Sequence, residues 1–234
     1  MKENLKKIVL SLCLSAGLAA VVFLGFWLWT LIPPKSYSAE EIYEMAAPSV
    51  VEINVTSYKG DSTGTGFFYD DNGTVITSYR VIKGSSAVSI KTQSGEEYEV
   101  VSVRGFDEAR DIAVLDTRCR VSKPLPFRAD DLKIKAGEPA YVIGGSFGVT
   151  DGLSEGVISG IAKEVGGQTY MEITAEVSLK DTGAPLMDKY GNVVGISTYT
   201  FVDGEKMNLA LPIGQLEYVP KNSPTLLSEL FKPE

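Results

Sequence analysis

The sequence predicts an all-β body of barrels held behind one N-terminal transmembrane helix. Two observations carry the prediction. An uncharged run of 25 residues extends from Ile8 to Ile32, behind a head bearing Lys2, Lys6 and Lys7. After Pro48, about a dozen short segments of period-two hydrophobicity follow one another between turn residues, with almost no helical periodicity among them.

As a helix the apolar run would span about 37 Å, enough to cross a bilayer core of about 30 Å with some tilt. Trp27 and Trp29 stand where an interfacial aromatic belt would lie, and Pro33-Pro34 ends the helix. The lysines belong on the cytoplasmic side, so the remainder is expected outside the cell membrane as the body of a single-pass protein. The competing reading is a cleavable signal with a small-residue site near Ser36-Tyr37-Ser38-Ala39, but a secretory core is usually only about 7 to 15 residues long. Cys13, in mid-span behind Leu12, is a poor lipidation site. That leaves Cys119 alone in the body, which excludes an internal disulfide.

The expected organisation is a cytoplasmic head (1–7), an anchor (8–32), a linker with a short helix (33–47), a first barrel (48–123), a connection (124–137), a second barrel (138–218) and a tail (219–234). Ser38 is placed to cap the short helix, with Glu40 and Glu41 in its first turn, and Pro48 stops it. Val50, Val51, Ile53 and Val55 open the first strand. Gly66–Tyr69 and Thr74–Thr77 flank Asp70-Asp71-Asn72-Gly73, a hairpin whose Asn-Gly pair suits positive φ. Segments 87–92 and 97–103 flank Ser94-Gly95, and Asp111–Leu115 is a buried strand. A second series covers 140–143, 156–162, 170–175, 191–199 and 208–211. The tail from Ser223 is expected to form a short helix.

Composition narrows the chemistry. There is no histidine among the 234 residues, which removes the one side chain that ordinarily titrates near neutrality. Without Lys2, Lys6, Lys7 and Glu3, the 22 basic and 30 acidic residues fall to 19 and 29, a net charge of about −10 that disfavours nucleic acid and adds nothing at anionic lipid. No phosphate loop and no metal-ligand spacing occurs, so no cofactor is expected. Gly64-Thr65-Gly66 is a strand start rather than a nucleotide site.

Five segments in order resemble the HtrA/DegP-like branch of the trypsin-fold serine proteases. They are Gly64–Phe67 running through Asn72-Gly73 to Thr77–Ile82; Asp111–Leu115; Val142–Gly148 with Gly156–Gly160; Lys180–Leu186 running into Gly191–Ile196; and Asn208–Ile213. The resemblance covers roughly residues 41 to 218. It implies two six-stranded antiparallel β-barrels, with the chain ending about where the family's PDZ domain would begin. Placed residue by residue, the catalytic triad falls on Arg80, Asp111 and Thr182, and the glycine that donates to the oxyanion falls on Lys180.

Only Asp111 matches. In the working triad, imidazole takes the hydroxyl proton and returns it to the leaving group. Arginine is a donor with no acceptor, so it can do neither at neutral pH. A side chain at position 180 is poorly tolerated by a backbone turned toward an oxyanion, so the hole is expected to be collapsed or turned. Arg80 is expected to pair with Asp111. The expectation from these residues is a proteolytically inactive domain, not an enzyme, that binds an extended peptide or a protein partner in the extracytoplasmic space.

The resemblance places that peptide on the strand after the nucleophile loop, at Ser197, Thr198 and Tyr199. Two readings compete with it. One is a residual endopeptidase in which Thr182 is served by a base other than histidine, with Lys180 acting on Thr182 or Ser178 as one version; the other is a structural envelope component assembled through its barrel surface.

Overall fold

The computed structural model of the protein describes residues 34–120, 123–128, 134–145, 152–220 and 224–227, together with Gly17, Phe23 and Trp27. The chain divides into two compact units, Met1–Lys35 and Ser36–Glu234. In the first, Gly17, Phe23 and Trp27 are helical. Almost all of the predicted span over 8–32 lies outside the described residues, and among those described no helix is long and apolar enough to cross a membrane.

The second unit opens with helix α1 (Ala39–Ala46), whose start follows from its cap. The Ser38 hydroxyl accepts the Glu41 amide proton at 3.2 Å, and Glu41 Oε2 accepts the Ser38 amide proton at 2.9 Å, which satisfies two amides that the first turn cannot. Ile42 and Ala46 turn into the core, and a 3₁₀ turn at Ala47–Ser49 containing Pro48 releases the chain into the first strand.

Seven strands form the first sheet: β1 (Val50–Ser57), β2 (Ser62–Phe68), β3 (Thr74–Thr77), β4 (Ser85–Thr92), β5 (Glu97–Glu99), β6 (Ser102–Asp107) and β7 (Ile112–Asp116), with a one-turn helix α2 (Tyr79–Ile82) between β3 and β4. Their order is β5-β4-β1-β2-β3-β7-β6, and the pairings are antiparallel. The β2–β3 turn works as its sequence suggests. Asp70 accepts from the amides of Asn72 and Thr74 at 2.9 and 3.1 Å, and Gly73 holds φ 87° where a Cβ would lie 2.2 Å from the Cys119 carbonyl oxygen.

The second sheet comprises β8 (Pro139–Ile143), β9 (Leu153–Val165), β10 (Gln168–Ile173), β11 (Pro185–Asp188), β12 (Val193–Val202) and β13 (Glu205–Pro212), closed into a barrel in the order β10-β13-β12-β11-β8-β9. β12 and β13 run past the expected ends at Tyr199 and Asn208. Asp203 and Gly204 adopt φ 52° and 87°, and this two-residue turn with both φ positive carries the ladder out to Val202 opposite Glu205.

Only one barrel is therefore closed, which corrects the expectation of two. β5 and β6 are successive stretches of one strand that changes partner at a bend. The Val100 amide donates to Val88 on one edge and the Val101 amide to Asp116 on the other, so the two edges are joined through the chain and not by a ladder. The outer edge of β6 is covered by the C-terminal segment, where Val103 and Thr225 exchange both backbone bonds at 2.9 and 3.0 Å and Leu227 enters the first-sheet core. Apart from Leu227, which is helical, the predicted tail helix lies outside the described residues or outside a helix.

Candidate active site

Arg80 sits in the first turn after β3, on α2, which is held down by Tyr79 stacking on Phe106 with ring centroids 5.1 Å apart. Asp111 enters from the turn before β7 with φ 58°, a left-handed conformation that Asp tolerates better than most residues. The two meet as the sequence predicts. The Arg80 amide donates to Asp111 Oδ1 at 2.7 Å, and Arg80 Nε donates to Oδ2 at 2.5 Å. The carboxylate side chain is 11% exposed and the guanidinium side chain 49%, so a buried anion is covered by a cation whose outer face is wet. Burial pushes the Asp111 carboxyl above its ordinary range, while Arg80 and the Ser78 hydroxyl pull it back.

Tyr170, on β10, joins this pair. Burial, and after it the negative charge of Asp111, raise its hydroxyl above the usual tyrosine value, with Arg80 acting in the opposite direction. Nothing in the sequence distinguishes this tyrosine from other strand aromatics, because the barrel closure that brings it within the field of Asp111 is not local.

Thr182 lies in the turn 178–184, which closes on itself. The Ser178 amide and hydroxyl both donate to Asp181 Oδ2, at 2.9 and 2.5 Å, the Asp181 amide donates to the Ser178 carbonyl, and the Thr182 amide donates to the Leu179 carbonyl at 3.3 Å. The Thr182 amide is therefore bonded within the turn. Lys180 is exposed on this turn, and its carbonyl accepts the Thr65 hydroxyl at 2.7 Å. Ser178 gives its hydroxyl proton to Asp181, which leaves no place for the pairing with Lys180 considered from the sequence. Gly183 is required here by its φ of 90° and by crowding: a Cβ would stand 2.3 Å from the Thr65 carbonyl oxygen and 3.0 Å from the Ser78 amide nitrogen. The same packing brings Thr182 against the segment carrying Arg80, since a Cβ on Gly64 would touch both the Val81 side chain and the Thr182 carbonyl oxygen. The Thr182 hydroxyl is buried with no hydrogen-bond partner among the described residues, as are those of Ser197 and Thr198.

β12 supplies the remaining wall. The Ser197 amide donates to Ala184, and its carbonyl accepts the Gly183 amide, so both its backbone groups point toward the turn. In an antiparallel strand the amide and carbonyl of one residue share a side, and the side alternates along the chain. Tyr199 and Phe201 therefore aim their backbone groups in the same direction as Ser197, and Thr198 and Thr200 aim theirs at β13. β11 ends the pairing at Ile196, so among the described residues the backbone of Tyr199 and Phe201 forms an edge with no strand beside it.

Of the three residues expected to hold a peptide, Ser197 and Thr198 have their backbone groups engaged within the barrel and Tyr199 has not. Phe201, 64% exposed and edge-on to Tyr199 at 6.0 Å, extends the site by one further period. The continued alternation Ser197, Tyr199, Phe201 is the sequence signal that would have found it. Arg80 Nη1 reaches the Tyr199 carbonyl at 3.4 Å, joining the triad positions to this edge. A cavity of about 750 Å³ lies away from all of these residues, under the 3₁₀ turn Ile213–Tyr218, and is lined by Tyr69, Ile76, Arg104, Phe127 and Leu216. No metal-binding cluster occurs among the described residues.

Residues 64–196 match a family model described as a trypsin-like peptidase domain. The chain is 29% identical to Protease Do-like 1, chloroplastic, of Arabidopsis thaliana, over 70% of its own length and 43% of the relative's. It is 26% identical to Serine protease HTRA4 of Homo sapiens, over 73% of its own length and 38% of the relative's. A solved structure titled "HtrA-type protease AlgW with tripeptide" superposes with a TM-score of 0.70 at 23% identity, covering 77% of this chain and 62% of that one. The chain thus spans about two fifths of the length of the two relatives. The first is named a protease and the second a serine protease, which overturns the expectation that this chain is not an enzyme: it is similar to proteins whose stated activity is proteolysis.

Proposed function

The chain belongs to the trypsin-like peptidase family, of the HtrA/DegP type, and from that premise we propose that its barrel domain takes hold of an extended polypeptide along the edge of β12. The supporting observation is that, among the described residues, no strand pairs with the outer edge of Tyr199 and Phe201, where only the Tyr199 carbonyl is met, by Arg80 Nη1 at 3.4 Å. A peptide laid there gains ladder hydrogen bonds from the two residues, and its alternate side chains meet the Tyr199–Phe201 aromatic pair. Residues 8–32 serve in this proposal as a membrane anchor with the barrel on the extracytoplasmic side, where the partner is an exported or unfolded chain.

Fluorescence anisotropy with a labelled, extended peptide tests the binding. Phe201→Ala removes an exposed ring and leaves the core intact, so the expected result is binding weakened about tenfold, equivalent to about 1.4 kcal/mol, at unchanged melting temperature. Undiminished binding in that variant would count against the edge.

The relatives support a second reading, in which the bound chain is also cut, with Thr182 in the place of the nucleophilic serine. Its hydroxyl proton has no imidazole to go to, so the acceptor in this reading is a water molecule. Covalent labelling by a fluorophosphonate, lost in Thr182→Val, is the expected result. Absence of both labelling and turnover of unfolded casein would end this reading.

A further inference from the structure

We infer that the β12 edge selects polypeptides by their free C-terminal carboxylate, with the outer face of the Arg80 guanidinium as the receptor. The inference rests on the proposed binding of a peptide along β12 and adds the chemistry of the end that is held.

The direction of the bound chain follows from the direction of β12. This strand leaves the Gly183–Ala184 turn at Ser197 and runs outward through Tyr199 and Phe201. A peptide paired antiparallel to it runs the other way, so its C-terminal end arrives at Tyr199 and Arg80. A parallel peptide would bring a positively charged N-terminus to the same guanidinium, which is unfavourable.

Arg80 retains the donors for a terminal carboxylate. Of five guanidinium N–H groups, Nε is used on Asp111 and one from Nη1 reaches the Tyr199 carbonyl at 3.4 Å, a long bond. Among the described residues, two on Nη2 and one on Nη1 are left, on a side chain that is 49% exposed. Asp111 does not repel the newcomer as strongly as its charge suggests, because its carboxylate is paired with the Arg80 guanidinium. A carboxylate can accept two parallel N–H bonds from this fork, whereas a carboxamide offers one acceptor and turns donors toward other donors.

The test uses the full-length protein and an N-terminally fluorescein-labelled hexapeptide of alternating threonine and valine, made once with a free C-terminal carboxylate and once as the amide. The expected result is about tenfold tighter binding of the acid, with the difference narrowing as ionic strength rises. Arg80→Gln should bring the ratio of acid to amide binding close to one, and Arg80→Lys should keep part of the preference. Equal binding of acid and amide by the unaltered protein would overturn the inference while leaving the edge reading in place. Binding of neither peptide would remove both. A loss of acid and amide binding together in Arg80→Gln would also overturn it, since Arg80 would then act through the fold. Because the ratio of acid to amide in the unaltered protein is decisive by itself, the test survives a variant that fails to fold.

Discussion

Replacing Arg80 by methionine keeps the apolar stem and removes the cation from Asp111, and the size of the effect can be worked out from the pair. The carboxylate is 11% exposed and has three local donors: the Arg80 amide at 2.7 Å, Nε at 2.5 Å and the Ser78 hydroxyl. The substitution takes away only Nε. A charge-assisted bond of this kind contributes about 1.5 to 3 kcal/mol, and the wet outer face of the guanidinium places it at the lower end, about 2 kcal/mol. For a body of this size that corresponds to a fall in melting temperature of about 6 °C near pH 7.5.

The same pair predicts how the loss depends on pH. Asp111 already titrates above its ordinary value of 3.8, so the folded state holds its proton more tightly than the unfolded chain. Stability from this group is complete below 3.8 and declines as pH rises through the folded value. Without Arg80 the folded value moves higher still, and the decline continues further. The variant and the unaltered protein should therefore match near about pH 3 and diverge toward neutrality, as measured by thermal unfolding across that range. Asp111→Asn in the same chain should restore most of the loss, because asparagine accepts the φ of 58° and needs no counter-charge. A loss of equal size at both ends of the pH range, or a double variant no better than the single one, would refute the reasoning.

Two further outcomes follow from the turn carrying Thr182. Gly183→Ala places a Cβ 2.3 Å from the Thr65 carbonyl oxygen at a φ of 90°, so a loss of about 3 kcal/mol or more is expected; a melting temperature within about 2 °C of the unaltered protein would contradict it. Thr182→Val replaces a buried, partnerless hydroxyl by a methyl group of the same shape, and stabilisation of about 1 kcal/mol is expected in urea unfolding. Destabilisation of similar size would show that the hydroxyl has a partner.

The elements legible from sequence are those whose causes lie within a few residues. Ser38 and Glu41 cap α1 because they stand three apart on the chain, and Asp70 through Gly73 turn β2 into β3 through bonds confined to that loop. The meeting of Arg80 with Asp111 was legible in another way, from the order of segments resembling a known family, since nothing local links two residues 31 apart. Expectations failed where the answer depended on which backbone groups were left over. Ser197 and Thr198 read as well as Tyr199 for a peptide site, but β11 stops at Ile196 and the turn takes both Ser197 groups, which moves the available edge to Tyr199 and Phe201. The open first sheet is a case of the same kind, because a strand that bends at Val100–Val101 meets its two neighbours separately.

By itself, then, the sequence determined most of the strands, the Asp70–Gly73 turn, the family and the pairing of Arg80 with Asp111. Only the tertiary structure decided which sheet closes, which way the Thr182 amide points and where a strand edge is left without a partner. The reason is that side-chain period and turn chemistry are written residue by residue, whereas an unpaired amide or carbonyl is what remains after distant segments have taken theirs.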